Sequence, residues 1–395
     1  MYKVKNNKRR THAPRNRKQQ GRKKNQEIVD VSRYVNKQTP VGEVVAYELK
    51  HQFSDFNLDP RILQRLIEKG YINPTEIQDK SIAHMMERKD VIGVAGTGTG
   101  KTAAFLLPII QSLLIDDMTQ KALVIAPTRE LATQIYDEFK ELSRGMNLFA
   151  TCLIGGIPVH KSIKDLQRKN HIVIGTPGRL ADMMQRGHLR VNKTEILVLD
   201  EFDRMLDMGF VDEMMAIDEK MIAKEQTLLF SATMDESIRS IVQKITLDPV
   251  EIRATQGLRP VNSIEQEILR VPKDANKMDM LHDLIFKSAN QKIILFCATK
   301  RKVDKIHRQL VSKSIKTDLI HGDKSQRARE VALRKFKNGH IDVLVATDVL
   351  ARGIDVSDVS LVINYEVPQS YNDYIHRIGR TGRAGKLGKA ITFID

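Results

Sequence analysis

Asp90-Val-Ile-Gly-Val-Ala-Gly-Thr-Gly-Thr-Gly-Lys-Thr102 runs from a short apolar segment into a glycine-rich turn, and Ala103-Ala-Phe-Leu-Leu-Pro-Ile-Ile110 follows it. The order reads as buried strand, tight loop and helix. Small residues at Gly96, Thr97, Gly98, Thr99 and Gly100 let successive backbone N–H groups converge on one anion. The helix start adds its positive dipole end, Lys101 a point charge, and Thr102 a hydroxyl suited to Mg²⁺. The loop begins with Ala95 where the general phosphate-loop pattern begins with glycine. Its bland counterpart is a glycine-rich surface turn that binds nothing.

Outward from this turn, short apolar runs alternate with longer helical stretches. Ala122–Ala126, Ile172–Gly175, Ile196–Leu199 and Thr227–Phe230 lack hydrophobic alternation, as expected of strands buried on both faces of a parallel sheet. Upstream, Phe53–Pro60 introduces a helix with apolar Ile62, Leu63, Leu66 and Ile67, closed by Gly70. Arg253–Pro260 breaks the pattern, and Ile293–Phe296, Asp318–Ile320, Val343–Ala346, Leu361–Ile363 and Ala390–Ile394 then repeat it. We therefore expect an α/β chain of two tandem domains: a basic tail (1–26), a first parallel-sheet domain (27–252), a linker (253–261) and a second domain (262–395). No second phosphate loop occurs, so nucleotide is handled by the first domain alone or shared across a cleft.

Composition bounds the function classes. No apolar run approaches the roughly 18 residues of a bilayer span, and the basic N-terminus lacks the apolar core of a signal peptide, so a cytoplasmic enzyme with no membrane partner is expected. Cys152 and Cys297 are the only cysteines, each in an apolar run, which argues for reduced core residues and against disulfides or a cysteine zinc site. Eleven of the 64 basic residues lie in residues 1–26 with no acidic one, leaving +4 of the formal +15 for everything else. Such a tail should be disordered in isolation, and serves either as a polyanion-binding arm or as a solubilising extension.

Two further motifs carry chemistry. Leu197-Val-Leu-Asp-Glu-Phe-Asp203 ends a buried strand with three carboxylates, at the sheet edge where ligands of parallel sheets bind. Asp200 is placed to hold Mg²⁺ and Glu201 to orient and deprotonate an attacking water; the alternative is an acidic helix start favoured by the dipole. His376-Arg-Ile-Gly-Arg-Thr-Gly-Arg383 gathers three arginines with no acidic partner within the motif. A polyphosphate would relieve their repulsion, with Arg380 and Arg383 as arginine fingers at the γ-phosphate. An RNA-facing or merely exposed basic turn remains the alternative.

Taken in order, these elements resemble the DEAD-box ATP-dependent RNA helicases of helicase superfamily 2. The resemblance covers Phe53 to Asp395: Phe53 with Gly70–Gln78, Ala95–Thr102, Pro127–Ala132, Gly155-Gly156, Thr176–Arg179, Asp200–Asp203, Ser231-Ala-Thr233, Ile294–Thr299, Gln326 with Arg329, Ala346–Asp355, and His376–Arg383. Alanine at the start of the phosphate loop is common in this family. The resemblance implies two RecA-like domains, with Phe53 stacking near adenine, Gln78 bonding its edge and Asp355 contacting the ribose. It implies that Asp203, Ser231, Thr233 and His376 link the γ-phosphate site to domain closure. RNA contacts fall on Thr128, Arg129, Gly156, Thr176 and Arg179 in the first domain, and on Gln326, Arg329 and Thr347 in the second. These are groups suited to backbone and 2′-OH contacts, although each also reads as a turn former or helix cap.

The sequence departs from the family in two places. Phe202 stands where the family has alanine, giving Asp-Glu-Phe-Asp, and its ring must find room under the phosphate loop or against Ser231–Thr233. The chain ends directly after the last expected strand, where family members continue with a further helix, so that strand is incompletely covered or the sequence is a fragment. The expected function is an RNA-stimulated ATPase that uses ATP and Mg²⁺ to unwind short RNA duplexes or remodel RNA–protein complexes, as a monomer, with ribosome or RNA-decay assemblies as candidate partners. An ATP-gated RNA clamp or annealing chaperone is the alternative from another class, and a DNA-translocating helicase is a third.

Overall fold

The computed structural model describes residues 47–96, 98–116, 120–254, 264–288, 291–348, 359–368, 371–382 and 387–395. The basic tail, Thr97, Asp355, Arg383 and most of the expected linker lie outside them. Seven parallel strands form the first sheet: β1 (Val91–Val94), β2 (Ala122–Ile125), β3 (Ala150–Leu153), β4 (Ile172–Gly175), β5 (Ile196–Leu199), β6 (Gln226–Ser231) and β7 (Val250–Arg253), in the order β3-β4-β2-β5-β6-β1-β7. Six form the second: β8 (Ile264–Arg270), β9 (Ile293–Phe296), β10 (Thr317–Ile320), β11 (Val343–Ala346), β12 (Leu361–Asn364) and β13 (Gly388–Ile394), in the order β10-β11-β9-β12-β13-β8 and again parallel. The match to RecA-like α/β domains is borne out.

Burial explains why these runs are strands. β1, β2, β4, β5, β6, β9, β11 and β12 are buried at every residue, so alternate side chains feed two cores rather than one core and solvent. In β2, Ala122 and Val124 join the core under the helix Lys101–Ile115, whereas Leu123 and Ile125 join the core on the opposite face. That helix is apolar almost all round, with Phe105, Leu106, Leu107 and Ile110 fully buried. A long buried helix behind the glycine turn gives the turn a rigid base.

The strands missed by apolar-run reading are β3, β7 and β8, and all three are edge strands. Val250-Glu-Ile-Arg253 and Ile264-Glu-Gln-Glu-Ile-Leu-Arg270 alternate with solvent-facing polar residues because one face or flank is uncovered. The linker boundary shifts accordingly: Arg253 closes β7 and the Ala254 N–H donates to Val94 O at 3.0 Å. The upstream helix spans Pro60–Glu68, with Ile62 and Leu66 buried, but Ile67 is 75% exposed rather than part of the core face. Cys297 is buried and Cys152 half-buried; both are free, and burial pushes each thiol up to about 12. Among the described residues no helix is long and apolar enough to cross a membrane.

Candidate functional site

The glycine turn after β1 is shaped by backbone needs that only small residues meet. Gly98 and Gly100 have φ of 80° and 90°, and a Cβ on Gly100 would lie 2.5 Å from Gln78 Nε2. Gln78 sits in the first turn of the helix Glu76–Met86, in a capping box with Thr75: the Thr75 N–H donates to Gln78 Oε1 at 2.9 Å. The other end of the same amide donates from Nε2 to Gly100 O at 3.0 Å. Lys101 is buried with Nζ donating to Ala95 O at 2.9 Å, and Thr99 Oγ1 donates to Gly96 O at 2.8 Å. A lysine ammonium resting on its own loop's carbonyl is held where an incoming phosphate oxygen can take it over. Thr102 follows, half-buried, and Phe53 is buried in the 3₁₀ turn Phe53–Phe56.

The acidic motif directly follows β5. Asp200 is fully enclosed, and burial pushes its carboxyl up to about 6; the charge of Lys101 opposes this rise, while Glu201 and Asp203 add to it. A buried carboxylate under such pressure suits a hard divalent cation, and the Thr102 hydroxyl is oxygen chemistry of the same kind. Glu201 takes a left-handed backbone conformation, φ 53°, and its Oε2 accepts from Arg204 Nη1 at 2.9 Å. Burial alone would raise Glu201, but Arg204, Lys101 and His376 outweigh it and hold the carboxyl below its ordinary value. His376 belongs to the second sheet's unit, so a charge from that unit acts on the acidic motif of the first.

Asp203, Ser231 and Thr233 are brought together as expected. One Asp203 oxygen accepts from the Ala232 N–H, the Thr233 N–H and Thr233 Oγ1 at 3.2, 3.1 and 3.1 Å, and the Asp203 N–H donates to Ser231 Oγ at 3.3 Å. Because the Ala95 N–H donates to Ser231 O, this cluster is also tied to the root of the phosphate loop. Phe202, between the two acidic positions, is fully buried in the core of Val94, Leu199, Met205, Met214 and Val242. The ring thus becomes part of the domain core, which answers where it finds room.

The arginine motif requires one correction. Arg377 is buried, with Nε and Nη2 on the Asp348 carboxylate at 2.5 and 2.9 Å, Nη1 donating to Asn364 Oδ1, and its guanidinium 5.4 Å from the Phe296 ring centre. Its acidic partner is distant in sequence but adjacent in space, so no polyphosphate is needed to explain it. Arg380 is buried too, with Nε donating to His376 O at 3.2 Å.

Among the residues expected to contact RNA, the Arg129 guanidinium lies against Gly155 and Gly156; a Cβ on Gly156 would stand 2.3 Å from Arg129 Nη1. Arg179 donates to Ser162 Oγ and Ile157 O, both at 2.8 Å, and Thr128 and Thr176 cap the helices Arg129–Leu142 and Pro177–Gln185. From the second sheet's unit, Arg329 pairs with Glu130 at 2.7 Å and Gln326 Nε2 donates to the same oxygen at 3.4 Å, all buried. Glu130 Oε2, Gln326 Oε1, Arg329 Nε and, beyond β11, Thr347 Oγ1 are buried with no hydrogen-bond partner among the described residues. The first three, on residues joined across one seam, fit a polar ligand there. Sequence reasoning passed over Glu130, although it lies inside the quoted Pro127–Ala132, and Arg204, which the i, i+3 spacing from Glu201 could have indicated.

Comparison with known proteins agrees with this geometry. Residues 75–241 match the DEAD/DEAH box helicase family model and residues 276–385 the helicase conserved C-terminal domain. The ATP-dependent RNA helicase CshA of Listeria monocytogenes is 45% identical over 87% of this chain and 66% of its own length, just under two thirds. The DEAD-box ATP-dependent RNA helicase CshA of Geobacillus kaustophilus is 42% identical over 87% of this chain and 73% of its own. Among solved structures, S. cerevisiae Dbp5 bound to RNA and ADP BeF3 is similar at TM-score 0.79 and 31% identity, covering 87% of this chain and 89% of that one. Mss116p bound to ssRNA and AMP-PNP is similar at 0.80 and 30%, covering 88% and 76%. With both sheets, both family models and these relatives in agreement, the chain belongs to the DEAD-box family of helicases.

Proposed function

We propose that this chain is an ATP- and Mg²⁺-dependent RNA helicase that acts in the cytoplasm as a monomer, opening short duplexes or remodelling RNA–protein complexes. The supporting observation is that the buried acids Asp200 and Glu201 of the first sheet's unit both lie under the charge of Lys101, and Glu201 also under that of His376 from the second. Phe53 and Gln78 take adenine, Asp355 the ribose, and the loop amides of Gly96, Thr97, Gly98, Thr99 and Gly100 with Lys101 take the phosphates. Thr102 and Asp200 would hold Mg²⁺, which would supply charge neutralisation for the phosphates. Glu201, kept ionised by its cationic neighbours, accepts the proton of the attacking water. Arg380 and Arg383 stabilise the charge that develops on the γ-phosphoryl group.

Thr128, Arg129, Gly156, Thr176 and Arg179 grip one strand from the first unit, and Gln326, Arg329 and Thr347 from the second. Closure carries Asp203, Ser231, Thr233 and His376 into register, which ties RNA grip to hydrolysis. Ribosome and RNA-decay assemblies are the partners this activity serves. The test is ATPase rate with RNA, with DNA and with neither. Stimulation by RNA alone, lost in Glu201→Gln, is expected; equal stimulation by DNA, or an unaffected Glu201→Gln, rejects the proposal.

A further inference from the structure

Asp79 is adjacent to the adenine-assigned Gln78, and no motif assigns it a role. Its side chain is fully enclosed and gathers three donors from one upstream segment: Tyr47 OH at 2.8 Å and the Lys50 N–H at 2.8 Å on Oδ2, and His51 Nδ1 at 2.6 Å on Oδ1. Burial alone would raise this carboxyl, but the bonds from Lys50, His51 and Tyr47 outweigh it and hold it below the usual range. The Tyr47 phenol, pushed up to about 12 by burial and then by Asp79, remains a donor. Lys80 lies 4.7 Å from the Tyr47 ring centre, pairs with Glu76 at 2.7 Å and donates to Arg253 O at 3.2 Å, closing the segment from its other side. An acid in the first turn of a helix suits the dipole without any partner. Three converging donors from 28 to 32 residues upstream are more than that needs.

Two residues beyond His51 comes Phe53, at the start of a 3₁₀ turn fixed by a capping box between Gln52 and Asp55. One turn of the helix Glu76–Met86 therefore fastens both walls of the base subsite: Gln78 through Gly100, and Phe53 through Asp79 and residues 47–51. We infer that Asp79 is a positioning residue for nucleobase recognition, clasping the segment that presents Phe53 without touching the nucleotide. The inference rests on the adenine role of Phe53 in the proposed function.

The test uses the full chain and three variants, Asp79→Asn, Tyr47→Phe and Phe53→Ala, with ADP and inorganic tripolyphosphate as paired probes. Asp79→Asn should weaken ADP binding about tenfold and raise KM for ATP by a similar factor, since a neutral amide cannot accept from all three donors. Tripolyphosphate affinity, and kcat at saturating ATP and RNA, should change less than about twofold, because the phosphate end is untouched. Tyr47→Phe, which removes one donor only, should give about a threefold loss for ADP alone. If ADP and tripolyphosphate weaken equally in both variants, or neither weakens, the inference is overturned. If Phe53→Ala leaves ADP binding unchanged, the adenine reading beneath it fails instead.

Discussion

The two sheets repeat one plan with different equipment. Six strands of the first, β3-β4-β2-β5-β6-β1, correspond in order to β10-β11-β9-β12-β13-β8 of the second, and the first adds only β7. Counterpart turns share chemistry: Thr128 after β2 and Thr299 after β9 cap their helices with side-chain oxygens, and Thr176 after β4 answers Thr347 after β11. At β1 the likeness ends. Its turn is the glycine-rich loop with Lys101, whereas its counterpart β8 runs into Val271-Pro-Lys-Asp-Ala275. On the proposed function, the architecture supplies two equivalent platforms for a strand of nucleic acid, and a single turn decides which platform holds a nucleotide.

The largest expected effect comes from separating the platforms. Residues 1–255 alone should bind ATP weakly and hydrolyse it at about a thousandth of the full chain's RNA-stimulated rate, the usual scale of a missing arginine finger. Arg380→Ala in the full chain should show a comparable fall in kcat. A rate for either within tenfold of the intact protein would mean that the first platform is catalytically complete.

Phe202→Ala restores the small residue of the family but leaves a cavity in the first sheet's core. A stability loss of about 3–5 kcal/mol is expected in denaturant titration. A loss below about 1 kcal/mol would show that the neighbouring methionines collapse into the space. Glu130→Gln keeps the shape of the joint between platforms but leaves Arg329 buried beside a neutral amide. RNA affinity in the presence of a non-hydrolysable ATP analogue should fall by about tenfold, roughly 1.4 kcal/mol, with less change when nucleotide is absent. Equal losses with and without nucleotide would mean that the pair supports RNA contact without joining the platforms.

The smallest effect concerns acid. Asp79 has a depressed folded-state pKa, so its contribution is present above the unfolded value of about 4 and is lost as pH falls through the folded one. Wild type and Asp79→Asn should differ in melting temperature at pH 7, and the gap should begin to close only as pH falls below about 4. A gap that persists in acid would mean that packing, not the carboxylate's charge, holds residues 47–51.

The parts legible in the sequence were those whose cause is local. Central strands such as β5 and β9 announce themselves because burial on both faces demands an unbroken apolar run. The phosphate loop, the acidic motif and Ser231–Thr233 are contiguous stretches whose spacing carries the chemistry. Edge strands β3, β7 and β8 were obscure because half their residues meet water. Arg377 was misread because its carboxylate lies 29 residues away, and Glu130 was passed over because Gln326 reaches it across 196. No periodicity encodes such pairings; only the folded sheets bring them together.

Arg377 carries one mechanical consequence. Its guanidinium binds Asp348 beyond β11, Asn364 at the end of β12 and Glu366 O past it, and lies over Phe296 of β9. Three adjacent strands thus clamp the helix Tyr371–Ile378, and Arg380 follows three residues later with its own Nε fastened to that helix's backbone. A side chain mounted in this way has no travel of its own. On the proposed function, it would approach the phosphates by movement of the second sheet's unit rather than by a swing of its own, so the pace of hydrolysis would be set by that unit.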